Sequence, residues 1–244
     1  MAESLGEIYG RLAAAQKGRA RSAPGYSVYV NRPIGRLFAT LAYRLGMSPD
    51  QVTVASAICT LTALIVIVTV PISAGLGVLV WLLLAVGYAL DSADGQVARL
   101  RGGGSLAGEW LDHFVDAIKS IGLHLGVAIG FYRFTDFNGV VLLIPLLFSL
   151  VSGVTFFGMI LNDLLKGKKG VPSSTAVCGW TPLRALLMLP MDYGFLCLVF
   201  VLWGLPQIFV VAYGLVLAAS TAFLVAAAIK WRADMARLDR EVQS

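Results

Sequence analysis

"DSADGQVARLRGGGSLAGEWLDHFVD" (residues 91–116) is the acidic stretch on which the interpretation of the whole chain depends. The sequence has 14 acidic residues among 244, and five of them lie within these 26 positions. Long apolar segments precede and follow the stretch. Burying charges without partners is costly, so an acidic cluster in this setting must have something that neutralises it.

The composition around this stretch is that of a membrane protein. Hydrophobic residues make up 58% of the chain and charged residues 14%, and the mean hydropathy is +0.80. Soluble domains have roughly 25% charged residues, and a helix needs about 20 mainly apolar residues to cross a bilayer. We therefore expect an all-α integral membrane protein with six transmembrane helices. The predicted spans are Val52–Val70, Leu76–Leu90, Leu111–Phe131, Val140–Leu161, Leu183–Leu202 and Ile208–Ile229.

The positive charges follow the ends of these spans instead of forming one basic surface. Basic residues concentrate before the first span and after the second, fourth and sixth, whereas the turns "PISAG" (71–75) and "GLPQ" (204–207) have no charge. Cytoplasmic loops of membrane proteins are enriched in Lys and Arg. The distribution places both termini and the acidic stretch in the cytoplasm and argues against nucleic acid as a partner of this chain with net charge +5.

The segment before the first span has the pattern of an amphipathic helix. "PIGRLFATLAYRLG" (33–46) begins with a Pro suited to a first helical turn and has apolar residues at helical spacing, with Arg36 and Arg44 between them. We expect it to lie in the cytoplasmic interface. Ser48 is the predicted N-cap of the first span, with Pro49 at its first position. The predicted organisation is a cytoplasmic N-terminal segment (1–47), a six-helix catalytic domain (48–232) and a cytoplasmic tail (233–244).

Four aspartates of the acidic stretch share two helix faces. Asp91 and Asp94 are three residues apart and Asp112 and Asp116 four apart, so each pair projects from one side of a helix. If the glycines at 102–104 fold the two helices together, all four carboxylates converge at the cytoplasmic ends of the spans. Their mutual repulsion requires cations.

The nearby cations Arg99 and Lys119 are too few to neutralise four carboxylates. Hard oxygen ligands favour Mg²⁺ or Mn²⁺ over zinc, and magnesium commonly completes its coordination with phosphate oxygens. The residues therefore predict a divalent-cation site and a substrate that carries phosphate. Gly95, Ala98 and Gly108 would leave room for that ligand, and Arg99 could bind a phosphate oxygen.

Other polar residues of the region have simpler interpretations. Any single aspartate near the end of a span can be a solvated cap, and we interpret Glu109 and Asp163 in that way. His113 and His124 are interpreted as packing residues. The argument for a metal site depends on four aspartates at this spacing, together with glycines and an arginine.

The whole pattern resembles the signature of the CDP-alcohol phosphotransferase (CDP-alcohol phosphatidyltransferase) family. The fixed positions are Asp91, Asp94, Gly95, Ala98, Arg99, Gly108, Asp112 and Asp116, and the chain matches every one. "SPDQVT" (48–53) is similar to a Pro-x-x-x-Thr sequence that precedes the first span in that family. The six predicted spans and the preceding helix also resemble the family's architecture.

The resemblance implies an enzyme that transfers a phospho-alcohol group from a CDP-alcohol to an acceptor hydroxyl and releases CMP. It implies two divalent cations, Mg²⁺ or Mn²⁺, with Asp91, Asp94 and Asp112 as ligands and Asp116 as ligand, general base or both. The residues along the CDP moiety would be Asp94, Gly95, Ala98, Arg99 and Gly108. A homodimer is implied as well.

The substrates are less well specified. The small size of the chain and its cytoplasmic arginines favour CDP-diacylglycerol as donor in phospholipid synthesis, in a bacterial or archaeal cell membrane, with a polyol or polyol phosphate as acceptor. "GEWLDHFVDA" (108–117) is similar to choline and ethanolamine transferases, whereas "YVNRPIGR" (29–36) is similar to archaeal inositol phosphate transferases. Cations that could bind an acceptor phosphate are Lys119, Lys166, Lys168, Lys169 and Arg184. The lysines at 166–169 are equally explained by the positive-inside rule.

Two other classes of protein also place acidic groups in membranes. Intramembrane prenyltransferases bind magnesium diphosphate through aspartate-rich motifs, but these typically lie in separate loops. A divalent-cation or proton-coupled transporter would keep acids near the midplane of the bilayer, often on broken or repeated helices. Formation of CMP distinguishes the predicted enzyme from both.

Overall fold

The computed structural model describes residues 3–14, 24–171 and 181–243. Within these ranges the chain is nearly all helical and has no strand, which confirms the predicted all-α class. A π-helical turn (Ser27–Asn31) precedes the second helix, and short 3₁₀ turns cover Leu189–Met191 and Phe200–Gly204. The helices are α1 (Leu5–Ala14), α2 (Arg32–Arg44), α3 (Pro49–Thr69), α4 (Ala74–Leu100), α5 (Leu106–Phe134), α6 (Gly139–Lys168), α7 (Pro182–Leu187), α8 (Tyr193–Val199) and α9 (Pro206–Gln243).

Five of these helices are long and apolar enough to cross a membrane. They are α3, α4, α5, α6 and the Pro206–Arg240 portion of α9. Large apolar side chains such as Ile58, Leu150 and Ile229 are more than half exposed on the outside of the bundle. A soluble protein would hide such surfaces, whereas lipid covers them. The chain is an integral membrane protein.

The segment predicted as the fifth span, Leu183–Leu202, is not one continuous helix. Helix α7 ends at Leu187, and Asp192 begins α8, so that the apolar helix Tyr193–Gly204 is shorter than the other five. Asp192 Oδ1 accepts a hydrogen bond from the Gly194 N–H (3.0 Å), and its Oδ2 accepts one from the Ser27 N–H (2.7 Å). The aspartate therefore caps α8 and joins it to the N-terminal segment. A sixth crossing of the membrane stays a prediction.

Side-chain caps fix where the long helices begin. Ser48 Oγ accepts a hydrogen bond from the Gln51 N–H (3.2 Å), and Gln51 Oε1 accepts one from the Ser48 N–H (2.9 Å). This is a complete capping box, and it confirms Ser48 as N-cap with Pro49 at the first position of α3. Ser105 and Asn138 cap α5 and α6 by accepting a hydrogen bond from the N–H groups of Gly108 and Val141, respectively.

The N-terminal region contains a helix that the sequence analysis did not predict. Ile8 and Leu12 of α1 are buried in a cluster with residues of α2 and α4, including Ala39 and Val97. Helix α2 occupies the predicted amphipathic stretch, although its place in the membrane interface stays a prediction. Helix α9 continues through the predicted boundary at 232/233 as one helix.

Glycines allow α5 to approach α3 closely. A Cβ atom at Gly130 would lie 2.9 Å from the Ile67 carbonyl oxygen and 3.0 Å from the Trp203 ring, and one at Gly126 would lie 3.2 Å from Leu64. Gly126 and Gly130 therefore serve packing within the chain. Trp203 stacks on Phe131 at a ring separation of 5.3 Å, in the aromatic core below the site. The close approach of Gly130 to Ile67 positions α5, with its two motif aspartates, relative to α3.

Candidate active site

Helices α4 and α5 bring three of the four motif aspartates together. The turn between them contains Gly102 and Gly103, which have positive φ angles of 96° and 132° that favour glycine. Carboxylate oxygens of Asp91, Asp112 and Asp116 lie within 4.8 Å of one another. These three residues are called the aspartate trio below. Three hard oxygen donors at this separation fit a Mg²⁺ or Mn²⁺ ion.

Asp94 lies beside the trio and has protein partners of its own. The carboxyl group is buried, with its Oδ2 accepting a hydrogen bond from the Thr53 hydroxyl at 2.6 Å and its Oδ1 accepting one from the Gly95 N–H at 2.5 Å. Thr53 belongs to α3, so this hydrogen bond joins α3 to the motif face of α4. Of the four carboxylates that were predicted to converge, three therefore do so, and the fourth, Asp94, is held next to them.

Lys119 occupies one side of the trio. Its ammonium group donates hydrogen bonds to Asp91 and, at 3.2 Å, to Asp116, and a third bond to the Ser56 hydroxyl at 3.0 Å. Ser56 in turn donates to the Gly87 carbonyl oxygen at 2.8 Å. The side chain of Lys119 is only 9% exposed. Lys119 was predicted as a residue for acceptor phosphate, and its contacts in the structure are with the aspartates.

A cavity of about 730 Å³ lies on one side of the aspartate trio. It is bounded by the first turns of α3 and α5 and by the last turns of α4. Its walls include all five residues predicted to lie along CDP, together with one member of the trio. Those lining residues are Asp94, Gly95, Ala98, Arg99, Gly108 and Asp112. A Cβ atom at Gly108 would lie 3.0 Å from Asp50 Oδ1, so glycine keeps this wall open. Their assignment to CDP remains a prediction.

A second cavity of about 610 Å³ lies on the side of the trio where Lys119 is. Its lining is mainly apolar, from α5, α6, α9 and the 188–196 segment, with Ser27, Arg32 and Asp192 among the polar residues. Lys119 belongs to the lining as well. Lys119 and the trio therefore lie between two cavities. One is lined by motif residues and the other mainly by apolar side chains.

Three further predicted acceptor residues, the lysines at 166–169, do not line the cavities described. Lys166 is buried and donates a hydrogen bond to Asp234 of α9 at 2.7 Å. Lys168 and Lys169 are exposed at the end of α6, and the side chain of Arg184 lies outside the described part of the structure. In the described residues, neither cavity is lined by any of the three lysines at 166–169.

Two residues of α3 that contact the site had no clear signal in the sequence. Thr53 stands in the "SPDQVT" segment, whose similarity to the family indicates no role for the hydroxyl group. Ser56 follows one turn later, and nothing in its sequence context indicates that it accepts a hydrogen bond from Lys119. His124, interpreted as a packing residue, is buried, stacks on Phe148 and contacts the Tyr213 hydroxyl.

The chain is similar to known proteins in both sequence and fold. The family model of the CDP-alcohol phosphatidyltransferases matches residues 47–231. An archaetidylinositol phosphate synthase from Pyrococcus horikoshii is 34% identical over 101 residues, which are 41% of this chain and 50% of that protein. The match thus spans about half the length of this relative.

The fold is similar to crystal structures of a phosphatidylinositol phosphate synthase from Mycobacterium tuberculosis. The complex with manganese and citrate has a TM-score of 0.54 at 20% identity and covers 81% of this chain and 86% of that one. The complex with CDP-DAG has a TM-score of 0.51 at 19% identity, with 81% and 90% covered. The family model spans the acidic stretch and most of the chain, which confirms the predicted resemblance. The protein belongs to the CDP-alcohol phosphatidyltransferase family.

Proposed function

We propose that the chain transfers a phosphatidyl group from CDP-diacylglycerol to a hydroxyl group of a polyol phosphate and releases CMP, as a step of phospholipid synthesis. The observation that carries the proposal is the position of the motif residues. The three carboxylates of the trio converge, and one of them, Asp112, lines the same cavity as Gly95, Arg99 and Gly108. A nucleoside diphosphate in this cavity would have its phosphates next to both carboxylates, which can hold a cation, and the Arg99 guanidinium group.

The reaction requires one displacement at phosphorus. The acceptor hydroxyl oxygen forms a bond to the phosphorus that carries the lipid alcohol, and the bond from that phosphorus to the bridging diphosphate oxygen breaks. CMP leaves with the electron pair of the broken bond. Asp116 would accept the hydroxyl proton as general base; its Oδ1 also accepts a hydrogen bond from Lys119.

Asp91, Asp112 and Asp116 would hold a divalent cation, Mg²⁺ or Mn²⁺. Bound there, the cation would polarise the phosphorus under attack and stabilise negative charge on the departing phosphate oxygens. Arg99, which lines the same cavity, would bind a phosphate oxygen, and Asp94, held by Thr53, would border the nucleotide. The resemblance to the family implies two ions.

The names of the relatives indicate the substrates. The solved relative binds CDP-DAG, and both relatives are named as synthases of inositol phosphate lipids. An inositol phosphate is therefore the acceptor we expect first. It would approach from the second cavity, where Arg32 offers a cation for its phosphate and Lys119 borders the trio.

The same proposal places the site on the cytoplasmic side of the membrane. It also includes a homodimer, which the resemblance to the family implies. Basic residues at the ends of α4, α6 and α9 support the orientation. An impermeant thiol reagent applied to intact cells should label a cysteine placed at Asp136, in the turn between α5 and α6, and should not label one placed at Lys169. The reverse pattern would invert the topology.

The decisive experiment offers the purified protein radiolabelled CDP-diacylglycerol with glycerol phosphate, inositol phosphate, inositol or serine, and measures CMP and labelled lipid. We expect both products with inositol phosphate when Mg²⁺ or Mn²⁺ is present, and neither after chelation. CMP formed only from a CDP-alcohol without a lipid would overturn the choice of donor. A transporter would form no CMP with any acceptor.

Replacing Asp116 tests the proton acceptor. Asp116→Asn should abolish turnover while CDP-diacylglycerol still binds, because the amide cannot take the hydroxyl proton but fills the same space. Asp136→Asn, in the turn that follows α5 at the end away from the motif, is the matched control and should keep normal turnover. Turnover of the Asp116→Asn variant near the normal rate would remove this residue from the proposed role.

A further inference from the structure

Arg101, directly after α4, is a second arginine in the wall of the cavity in which we place the nucleotide. It lines that cavity together with Arg99, but it is not one of the fixed positions of the family motif. Its Nη2 donates a hydrogen bond to the Met47 carbonyl oxygen at 2.9 Å. Met47 directly precedes Ser48 and Pro49, which belong to the same cavity wall. Arg101 therefore joins the end of α4 to the start of α3 at this cavity.

The positive charge of Arg101 is left for a ligand. In the part of the chain that the structure describes, no ion pair includes this residue. A guanidinium group has five N–H donors, and the bond to Met47 uses one of them. The acidic residues of the same wall are Asp50, Asp94, Glu109 and Asp112. An anionic ligand in this cavity needs cations close to it, and Arg99 and Arg101 are the arginines among the described lining residues.

An aromatic ring of α2 holds the Arg101 side chain in place. The Arg101 guanidinium carbon lies 5.6 Å from the centroid of the Tyr43 ring, within the distance of a cation–π contact. The Arg11 guanidinium of α1 lies over the same ring at 5.9 Å, and it is paired with Glu3 at 2.6 Å. Arg101 is exposed. Without the ring and the Met47 carbonyl group, its long side chain would be free to turn into solvent.

Helix α1 in turn fixes the position of Tyr43. Ile8 and Leu12 of α1 are buried in an apolar cluster with Val97 of α4, and the Tyr43 side chain packs against the same cluster. Helices α1 and α2 precede residue 47, where the match to the family model begins. The support for Arg101 therefore comes from a part of the chain that the family motif does not describe.

We propose that Arg101 is a further binding residue for the donor, contacting a phosphate oxygen of its CMP half, and that Tyr43 is the residue that positions it. The inference rests on the proposed function and adds to its nucleotide site. The planar guanidinium group matches the geometry of phosphate oxygens, and CMP keeps this phosphate when it leaves. Arg101 therefore binds the donor and the leaving product alike. A residue of this kind affects KM for the donor and the affinity for CMP, and it affects kcat little.

Binding of CMP to the purified full chain with Mg²⁺, measured by isothermal titration calorimetry, tests the inference without relying on turnover. Arg101→Gln should weaken CMP binding roughly tenfold or more, because a hydrogen bond to a charged group is lost. Tyr43→Leu should weaken it roughly two- to fivefold. Tyr43→Phe keeps the ring and should match the natural protein. In turnover, KM for CDP-diacylglycerol should rise by the same factors, with kcat and KM for inositol phosphate unchanged.

Arg44→Gln and Tyr132→Leu are the matched controls, because both residues are exposed and neither lines the cavity. Both variants should bind CMP as the natural protein does. If Arg101→Gln binds CMP within about twofold of the natural affinity, the binding role is wrong. If Tyr43→Phe weakens binding as much as Tyr43→Leu, or if kcat falls while KM stays constant, the positioning role is wrong.

These outcomes are distinct from a failure of the proposed function, in which the natural protein would form no CMP from CDP-diacylglycerol with any acceptor. Should Tyr43→Leu not fold, Tyr43→Met takes its place, because methionine also lacks an aromatic ring and adapts to irregular packing. The comparison of Arg101→Gln with Arg44→Gln concerns exposed side chains only, so it decides the binding role independently of Tyr43.

Discussion

Replacing Thr53 by Val should impair the enzyme without disturbing its fold. The Thr53 hydroxyl donates a hydrogen bond of 2.6 Å to Asp94 Oδ2, and both residues are buried, with 3% and 7% of their surfaces exposed. Valine has nearly the same shape and also fits a helix, so packing between α3 and α4 is preserved. The substitution therefore removes one donor from a buried carboxylate and little else.

The expected size of the effect follows from the kind of hydrogen bond. A hydrogen bond to a charged group contributes about 1.5–3 kcal/mol, and every 1.4 kcal/mol or so corresponds to a tenfold change. If Asp94 must be held as an ionised group beside the nucleotide, kcat/KM for CMP release should fall roughly 10- to 150-fold. The Thr53 hydroxyl oxygen also lies 3.2 Å from the Pro49 carbonyl oxygen, but its single proton is donated to Asp94 in the shorter contact.

The assay compares initial rates of CMP formation by Thr53→Val and Thr62→Val. Thr62 lies on the same helix, but it is exposed and its hydroxyl donates to the Ile58 carbonyl oxygen at 2.7 Å, far from the site. We expect the Thr62 variant to match the natural protein in rate and melting temperature. If Thr53→Val keeps kcat/KM within about threefold of the natural value, Asp94 does not depend on this hydrogen bond.

Other predictions address packing. Gly130→Ala should lower the free energy of unfolding by about 1–3 kcal/mol, because the new Cβ would meet the Ile67 carbonyl oxygen of α3 at 2.9 Å. Gly75→Ala, which adds a Cβ atom with nothing within 4 Å, should show no such loss in thermal denaturation. Tyr213→Phe removes the hydroxyl partner of buried His124 and should cost about 1 kcal/mol of stability, with CMP formation retained. A large loss of turnover in this variant would show that the pair contributes more than packing.

The features that the sequence predicted are those set within a single helix. Asp91 and Asp94 share one face of α4, and Asp112 and Asp116 share one face of α5, because residues three or four apart on a helix are neighbours whatever surrounds them. The cap at Ser48 is equally local. The glycines between α4 and α5 predicted a tight turn. Such a turn places the two helices side by side in antiparallel directions, so that their acidic faces can meet.

The features that the sequence did not predict depend on how helices are rotated against one another. Whether Lys119 would reach an acceptor or the aspartates depends on the position of Ser56, 63 residues earlier, and periodicity within α5 contains no information on this. The break in the fifth predicted span is a different case. Pro190 and Asp192 lie in the middle of an apolar segment, and a Pro followed by a capping Asp is a signal for the start of a new helix.

One helix links the two halves of the site. Helix α3 contributes Thr53, which holds Asp94 on the nucleotide side, and one turn later Ser56, which holds Lys119 on the other side. Its distance from α4 is set by Gly87, where a Cβ atom would lie 2.8 Å from Thr60 Oγ1. Because the same close contact positions both hydroxyl groups, a shift of α3 would loosen the nucleotide wall and the ammonium group together. We infer that α3, which contains none of the motif aspartates, determines the geometry in which they act.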